Sequence, residues 1–172
     1  MTDQAFKDKK KLYVCFVDFK KAYDTVWRNG LYLKLLRYGI SKNIVRLIKD
    51  MYDQLQVSVN VFKCLSLPFK TQVGLKQGCN LSPLLFNLFI NNLVDIMDTD
   101  NSQAPFLGPK QVSCLLYADD LVLISESKEG LQNSIDKLAH FTDKWFLEVN
   151  TKRQNVWYLL KVDRVVCHMN GY

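Results

Sequence analysis

The stretch VSCLLYADDLVLISE (residues 112–126) decides the fold, because two apolar runs flank a short polar centre. The runs are rich in residues that favour β-strands, and Tyr117-Ala118-Asp119-Asp120 lies between them. The pattern predicts a buried β-hairpin with adjacent carboxylates at its tip, where burial and mutual repulsion both oppose ionisation. The tetrapeptide alone is compatible with an ordinary Asp-containing turn and with a metal site.

Composition bounds the class of protein. A chain of 172 residues with 48% hydrophobic and 23% charged residues is typical of one globular domain and argues against disorder. The net charge of +6 permits a polyanionic partner without requiring one. The charged segment Lys7–Lys11 stands where a signal peptide has an apolar core, and no apolar run reaches the roughly 20 residues of a membrane span. No membrane partner is therefore expected.

The cysteines and histidines predict neither disulfides nor a zinc site. The five cysteines are scattered and contain no Cys-x-x-Cys pair, which favours a reduced intracellular setting, nucleus or cytoplasm, over secretion. Cys167 and His168 are adjacent, and His140 lies on a predicted helix. Both histidines are expected to be structural or solvated.

The first third of the chain predicts one strand and two helices. Leu12–Asp18 is a nearly continuous apolar run, typical of a central strand buried on both faces, and it ends on a carboxylate. Asp24 or Thr25 is predicted to cap a helix that stops at Gly39. Ser41 is predicted to begin the second helix, whose apolar stripe is expected in the core: Ile44, Leu47, Ile48, Met51 and Leu55.

Two extended segments follow, Gln56–Phe62 and Leu65–Val73, and they predict a hairpin at an edge because Pro68 interrupts the second. Ser82-Pro83 predicts the start of a largely buried helix that continues to about Met97, with Ser as the N-cap. Residues 98–109 are expected to form a loop.

Ser127 is predicted to cap a third long helix, with one face formed by Leu131, Ile135, Leu138, Phe141 or Thr142, and Trp145. Val156–Leu160 and Arg164–Cys167 are candidates for short terminal strands. The order β-α-α-β-β-α-β-β-α predicts an α+β fold in which helices pack on one face of a mainly antiparallel sheet.

These strands bring three carboxylates towards one end of the predicted sheet. Asp18 ends one strand and Asp119-Asp120 tip the hairpin, and neighbouring strands lie about 4.8 Å apart. A divalent cation offsets the repulsion within such a cluster, and Mg²⁺ prefers a few carboxylates plus substrate phosphate oxygens. Two such ions suit nucleotidyl transfer. Because adjacent strand residues face opposite ways, Asp18 and Asp119 are expected to bind the ions directly, with Asp120 further from them.

Three segments carry a family resemblance: FVDFKKAYD (residues 16–24), GLKQGCNLSPLLFNLFINNL (74–93) and LLYADDLVLIS (115–125). In content, order and spacing they resemble the A, B and C motifs of reverse transcriptases, particularly those of LINE-type, non-LTR retrotransposons. The resemblance implies a polymerase palm with two Mg²⁺ ions (Mn²⁺ as an alternative), an RNA template, a DNA primer and deoxynucleoside triphosphates. It identifies no protein partner. It assigns the catalytic, metal-binding triad to Asp18, Asp119 and Asp120.

The resemblance also implies a nucleotide-binding set. Tyr23 matches the aromatic residue that packs beneath the incoming sugar and rejects a ribose 2′-hydroxyl. Gln77 and Gly78 match the loop that lies against the nucleotide, where Gly permits close approach of the backbone and Gln can hydrogen-bond sugar or base. Phe19, directly after the first carboxylate, belongs to the same implied set.

The fourth family motif is altered here. Arg153 stands where the family has a lysine that can donate a proton to pyrophosphate, a task that a guanidinium performs poorly. The expected organisation is a basic lead-in (residues 1–11), a palm (12–150) without fingers or thumb, and a divergent tail (151–172). The chain is expected to be a reverse transcriptase fragment. A catalytically inactive remnant that at most binds nucleic acid is the alternative, and a metal-dependent nuclease is a third hypothesis.

Overall fold

The computed structural model describes residues 11–99 and 102–150, and the backbone of residues 155–159. In chain order the elements are β1 (Leu12–Asp18), α1 (Ala22–Thr25), α2 (Arg28–Arg37), α3 (Lys42–Asp53), β2 (Gln56–Val57), β3 (Asn60–Val61), β4 (Cys64–Leu65), β5 (Phe69–Lys70), α4 (Ser82–Ile90), α5 (Asn92–Asp98), β6 (Phe106–Leu107), β7 (Lys110–Gln111), β8 (Cys114–Tyr117), β9 (Asp120–Ser125), α6 (Lys128–Trp145) and β10 (Asn155–Leu159). The described residues form two compact units, one made of those up to residue 22 and from residue 91 onwards, the other of residues 23–90.

The first unit contains a four-stranded antiparallel sheet in the order β10-β1-β9-β8. Helices α5 and α6 contact this sheet, α6 against β1 and β9 and α5 against β8. The predicted α+β class, the central position of β1 and the β8–β9 hairpin are confirmed. A strand is also found at the first predicted terminal position, whereas Arg164–Cys167 lies outside the described residues.

The two faces of the sheet differ in burial. Cys15 and Val17 of β1 are buried on the face that the helices cover, together with Leu121 and Leu123 of β9. On the opposite face Leu12 and Val14 are buried with Ile124 of β9, whereas Phe16 is 46% exposed. The prediction that β1 is buried on both faces is therefore confirmed at Leu12 and Val14 and wrong at Phe16.

Helix α6 begins where the sequence predicts. The Ser127 hydroxyl accepts a hydrogen bond from the Gly130 backbone N–H (2.9 Å), which satisfies one of the free donors of the first turn. The face that the sequence predicts supplies the buried residues Leu131, Leu138, Phe141, Thr142 and Trp145. Within residues 98–109, which were expected to form only a loop, β6 begins a short hairpin with β7.

The long helix predicted from Ser82 to about Met97 is wrong in two respects. It is divided at Asn91 into α4 and α5. Ser82 is the first helical residue, and its hydroxyl donates to the Lys76 carbonyl (2.6 Å), so it fastens the preceding loop to the helix instead of capping it.

The second unit begins with α1, α2 and α3. The prediction that Asp24 or Thr25 caps a continuous helix is wrong, because both lie inside α1 and α2 begins after Trp27. Gly39 ends the helical region with a φ of +80°, as predicted. Ser41 caps α3, accepting a hydrogen bond from the Ile44 backbone N–H at 3.4 Å.

The core-facing stripe of α3 also differs from the prediction. Ile48 is buried as predicted, together with Val45 and Tyr52, whereas the predicted core residues Ile44, Leu47 and Met51 are exposed, Leu47 by 62%. Both sets recur at helical spacing on the same helix, so periodicity alone does not choose between them. Packing against α2 buries only one set.

The predicted edge hairpin is confirmed, but its strands are short. β2 pairs with β5 and β3 pairs with β4, and residues 58–70 are all exposed. Phe62 and Lys63 form the turn with positive φ at both positions, the pattern of a type I′ turn. Among the described residues, no helix is both long and apolar enough to cross a membrane.

Candidate functional site

Two predicted carboxylates face each other across the central strands. Asp18, the last residue of β1, pairs with Asp120, the first residue of β9. Residues directly opposite in an antiparallel pair project from the same face, and their Cβ atoms lie about 5 Å apart. Like charges in that arrangement are destabilising unless a cation lies between them. Repulsion between Asp18 and Asp120 is therefore expected where β1 ends and β9 begins.

Asp119 lies beside this pair, in the two-residue turn of the β8–β9 hairpin. Tyr117 pairs with Asp120, which leaves only Ala118 and Asp119 in the loop. Ala118 has a φ of +54° and Asp119 does not have a positive φ, the pattern of a type II′ turn. Such a tight turn holds Asp119 close to the end of β9, and the three predicted carboxylates thus lie in one unit.

A fourth residue, Asn150, holds Asp18 at two points. Its backbone N–H donates to the Asp18 carbonyl (2.8 Å), and its side-chain Nδ2 donates to Asp18 Oδ2 (3.0 Å). The segment around it extends this pairing, with a β-bridge between Phe19 and Val149. The amide thus orients one carboxylate oxygen of Asp18. Sequence reasoning missed Asn150, although it lies only three positions before Arg153 of the altered fourth motif.

The carboxylates at this sheet end fit a Mg²⁺ site that is completed by waters and substrate better than a site in which the protein supplies every ligand. Among the described residues, no group of three His, Cys, Asp or Glu side chains is arranged to hold a metal ion. Mg²⁺ sites in phosphoryl-transfer proteins instead use one or two carboxylates, waters and substrate phosphates. The opposed Asp18 and Asp120, with Asp119 in the adjacent turn, can supply the carboxylate part of such a site.

Tyr23 lies in the second unit and rests on the buried helix α4. Its ring stacks on that of Phe86, with the centroids 4.8 Å apart and an angle of 24° between the planes. Phe86 is fully buried, so it gives Tyr23 a rigid support. Tyr23 itself is half-buried.

The predicted loop residues Gln77 and Gly78 lie in the same unit as Tyr23. Gln77 Nε2 donates to Asp24 Oδ1 (2.8 Å), and Leu75 donates its N–H to the Tyr23 carbonyl (2.7 Å). Gly78 has a φ of +76°, which favours glycine and allows the loop its reversal. Hydrogen bonds therefore link the segment that contains Gln77 and Gly78 to the segment that contains Tyr23.

Phe19 is placed differently from the other members of the implied nucleotide-binding set. It is only 3% exposed, so its side chain belongs to the core of the first unit. A contact between Phe19 and a nucleotide stays a prediction.

Cys79, beside Gly78, is expected to be a reactive thiol. Hydrogen bonds from the backbone N–H groups of Leu81 and Ser82 lower the pKa of the Cys79 thiol, with the Leu81 bond the larger cause. Burial raises the pKa of Cys15, and it raises that of Cys114 to about 11. Because the thiolate is the nucleophile, Cys79 should be alkylated at a lower pH than a cysteine in an unstructured peptide. Peptide mapping by mass spectrometry after iodoacetamide pulses at several pH values measures this, and modification of Cys114 before Cys79 would contradict it.

Sequence comparison identifies the family. The reverse transcriptase (RNA-dependent DNA polymerase) family model matches residues 1–163. The chain is 31% identical over 144 residues to the Pol polyprotein of the type-2 retrotransposable element R2DM of Drosophila melanogaster, covering 84% of this chain and 13% of that protein. It is 29% identical over 162 residues to a probable RNA-directed DNA polymerase from transposon BS of the same organism, covering 87% and 17%. The chain thus spans less than a fifth of the length of these relatives.

Solved structures show the same fold. The apo telomerase of Candida tropicalis, truncated from its C-terminal domain, matches with a TM-score of 0.66 and 19% identity, over 95% of this chain and 35% of that one. The telomerase of the same organism in complex with a fragment of telomeric RNA matches with a TM-score of 0.67 and 17% identity, over 91% and 29%. Together with a family model that covers nearly all 172 residues, and with relatives from non-LTR retrotransposons, these matches lead to one conclusion: the chain belongs to the reverse transcriptase family of RNA-directed DNA polymerases.

Proposed function

We propose that this chain forms the catalytic palm of a retroelement reverse transcriptase, which extends a DNA primer on an RNA template. The observation that carries the proposal is the β1–β9 register, which opposes Asp18 and Asp120 beside the Asp119 turn. Asp18, Asp119 and Asp120 would hold Mg²⁺, or Mn²⁺ in its place. When bound, the two ions supply positive charge to the phosphates and make the primer 3′-hydroxyl more acidic.

The chain's own residues supply positioning and charge. The carboxylates concentrate negative charge at one sheet end, and Asn150 fixes the orientation of Asp18. Asp18 and Asp119 are proposed to contact the ions directly, with Asp120 further away. The protein contributes no covalent step, because aligning the reactants and stabilising charge are sufficient for this chemistry.

Nucleotide selection is proposed to depend on Tyr23, Gln77 and Gly78, and Phe19, directly after Asp18, is kept in the proposed set. The Tyr23 ring, held on Phe86, would fill the space that a ribose 2′-oxygen needs. Gln77 would hydrogen-bond the sugar or base, and Gly78 would let the backbone approach it. The substrates are therefore deoxynucleoside triphosphates. The net charge of +6 supports binding to nucleic acid, and the free cysteines of the described residues support an intracellular location.

A specific observation favours one alternative, a catalytically inactive remnant that at most binds nucleic acid. Arg153 replaces the lysine of the fourth motif and stays protonated at neutral pH. In this alternative the palm (residues 12–150) keeps its fold but has lost turnover. A metal-dependent nuclease remains a third candidate, because opposed carboxylates also serve hydrolysis.

A chimera distinguishes these three functions. Residues 12–153, which include Arg153, replace the matching segment of the full-length R2DM protein, and the product is assayed with a DNA primer, an RNA template, deoxynucleotides and Mg²⁺. We expect primer extension with release of pyrophosphate. Tight binding of primer-template without extension, under conditions in which the parent R2DM protein extends, would establish the remnant. Degradation of labelled RNA or DNA without extension would establish the nuclease.

Asn150→Ala is expected to weaken the binding of Mg²⁺ by the chimera without unfolding it. The substitution keeps the backbone N–H that bonds Asp18 but removes the side-chain amide that orients its Oδ2. Loss of a partner that orients a metal ligand typically costs about 10- to 100-fold in metal affinity or activity. The Mg²⁺ concentration for half-maximal extension should rise by about tenfold or more, and Mn²⁺ binding measured by electron paramagnetic resonance should weaken in parallel.

Glu148→Gln is the matched control for Asn150→Ala. It lies two residues away and breaks only the exposed ion pair between Lys20 Nζ and Glu148 Oε2 (2.8 Å). An exposed pair contributes little, so Mg²⁺ dependence should not change. Equal shifts in the two variants would show that the pairing of residues 18–20 with residues 148–150 as a whole, and not the Asn150 amide, determines the Mg²⁺ dependence.

A further inference from the structure

Arg28, the first residue of α2, is a buried cation held by neutral oxygens. It is 6% exposed, and its guanidinium lies over the Tyr52 ring, 5.0 Å from the centroid. It donates from Nε to the Gly74 carbonyl (2.8 Å), from Nη1 to the Thr71 carbonyl (2.6 Å), and from Nη2 to Thr71 Oγ1 (2.8 Å) and the Val73 carbonyl (2.9 Å). All these acceptors belong to one short segment, residues 71–74.

That segment has no regular secondary structure of its own. It follows the exposed β2–β5 hairpin and leads directly into the Gln77–Gly78 loop. Its position therefore depends on individual bonds to residues 23–28. Arg28 provides four of these bonds. Further bonds join residues 74–77 to the same region: Gly74 N–H donates to the Val26 carbonyl (2.9 Å), Leu75 N–H to the Tyr23 carbonyl, and Gln77 to Asp24.

The backbones of Gly74 and Asp24 lie so close together that a small displacement of one must displace the other. A Cβ atom on Gly74 would lie 2.6 Å from the Asp24 carbonyl oxygen, and Gly74 has a φ of +86°. The backbone of Gly74 thus contacts the backbone of Asp24. Tyr23 directly precedes Asp24, and the Gln77–Gly78 loop follows Gly74. If the anchor at residues 71–74 shifts, Gln77 and Gly78 move relative to Tyr23.

We propose that Arg28 is a positioning residue for nucleotide selection, which sets the distance between Tyr23 and the Gln77–Gly78 loop. The inference rests on the proposed function, in which these residues contact the incoming nucleotide. Arginine suits the task because its planar guanidinium presents five donors in fixed directions, and here it spans three carbonyls and a hydroxyl. Lysine has donors but not this geometry.

The test compares Arg28→Met with Lys34→Met. Lys34 is on the same helix, is 3% exposed, donates to the Phe89 carbonyl and lies 4.6 Å from the Phe89 ring centroid, all within the same unit. Both variants remove a buried cation, and both are expected to lower the melting temperature. Only Arg28→Met should accelerate amide hydrogen exchange at Gly74 and Leu75 in the 172-residue chain.

In the R2DM chimera, Arg28→Met should raise KM for deoxynucleotides by about tenfold or more, with a smaller change in kcat. Discrimination against ribonucleotides should fall by a similar factor, and Arg28→Lys should restore part of it. Thr71→Val, which removes only the Oγ1 acceptor, should shift exchange and selectivity in the same direction by less. It keeps the test valid if Arg28→Met fails to fold.

Tyr23→Ala separates failure of this inference from failure of the proposed function. If Tyr23→Ala relaxes ribonucleotide discrimination but Arg28→Met changes it no more than Lys34→Met does, the inference about Arg28 is wrong and the function stands. If Arg28→Met accelerates exchange at Gly74 and Leu75 while Tyr23→Ala leaves discrimination unchanged, Arg28 is confirmed as the anchor of the loop and the proposed role of Tyr23 is wrong.

Discussion

Asp119→Asn is expected to abolish primer extension by the R2DM chimera, with a loss of at least about 10³-fold, since metal-ion charge stabilisation contributes several kcal/mol. The side chain keeps its shape but loses the negative charge that attracts the ions. Folding should not suffer, because the change relieves repulsion next to the opposed Asp18 and Asp120. Extension assays over a range of Mg²⁺ concentrations measure the loss, and thermal melts establish that the variant is folded.

Two further variants sharpen this experiment. Asp143→Asn removes an exposed carboxylate on α6 and serves as the charge-matched control, for which full activity is expected. Asp120→Asn tests the division of roles, because the register places Asp120 opposite Asp18, whereas Asp119 is proposed to be the direct ligand. A smaller loss for Asp120→Asn than for Asp119→Asn would support that expectation. Retention of extension by Asp119→Asn would overturn the assignment of the site.

Phe86→Ala is expected to lower the free energy of unfolding by about 3–5 kcal/mol, the usual cost of deleting a buried phenylalanine ring. Phe86 is fully buried in α4, and its ring supports Tyr23 at a centroid distance of 4.8 Å. Its removal leaves a cavity and ends the stacking, which adds about 0.5–1.5 kcal/mol to such pairs. Urea denaturation of the 172-residue chain measures the loss as a lower midpoint at unchanged slope.

Leu84→Ala provides the control on the same helix. Leu84 is 55% exposed, so its truncation should cost less than about 1 kcal/mol. Phe86→Leu should fall between the two, because it keeps apolar volume but loses the aromatic contact. A loss for Phe86→Ala no larger than that for Leu84→Ala would show that α4 does not pack as described.

The elements that the sequence predicted well are those encoded locally. The β8–β9 hairpin, the Ser127 and Ser41 caps and the stop at Gly39 all depend on a few neighbouring residues. The core face of α3 could not be predicted in this way. Ile44 and Val45 are adjacent and begin competing stripes, and only packing against α2 decides which stripe is buried.

The same limit applies to the division between α4 and α5. Residues 82–97 are apolar over much of the helical circumference, which predicts one buried helix. Asn91 lies where the two compact units meet along the chain, and each half belongs to a different unit. Propensity is a weak signal compared with such tertiary constraints.

The sequence by itself determined the family, the strands that carry the carboxylates and the identity of the candidate site residues, because these depend on residue types at short spacings. The tertiary structure alone decided that Asp18 opposes Asp120, that Asn150 holds Asp18, and that Arg28 ties residues 71–74 to the region of Tyr23. Asp18 and Asn150 are 132 positions apart, and Arg28 and Thr71 are 43 apart. Contacts at such separations are set by strand register and core packing, which a local pattern does not encode. By itself the tetrapeptide Tyr117-Ala118-Asp119-Asp120 is compatible with a turn or a metal site. In the structure it forms a turn at one end of the sheet, and its last residue, Asp120, pairs with Asp18.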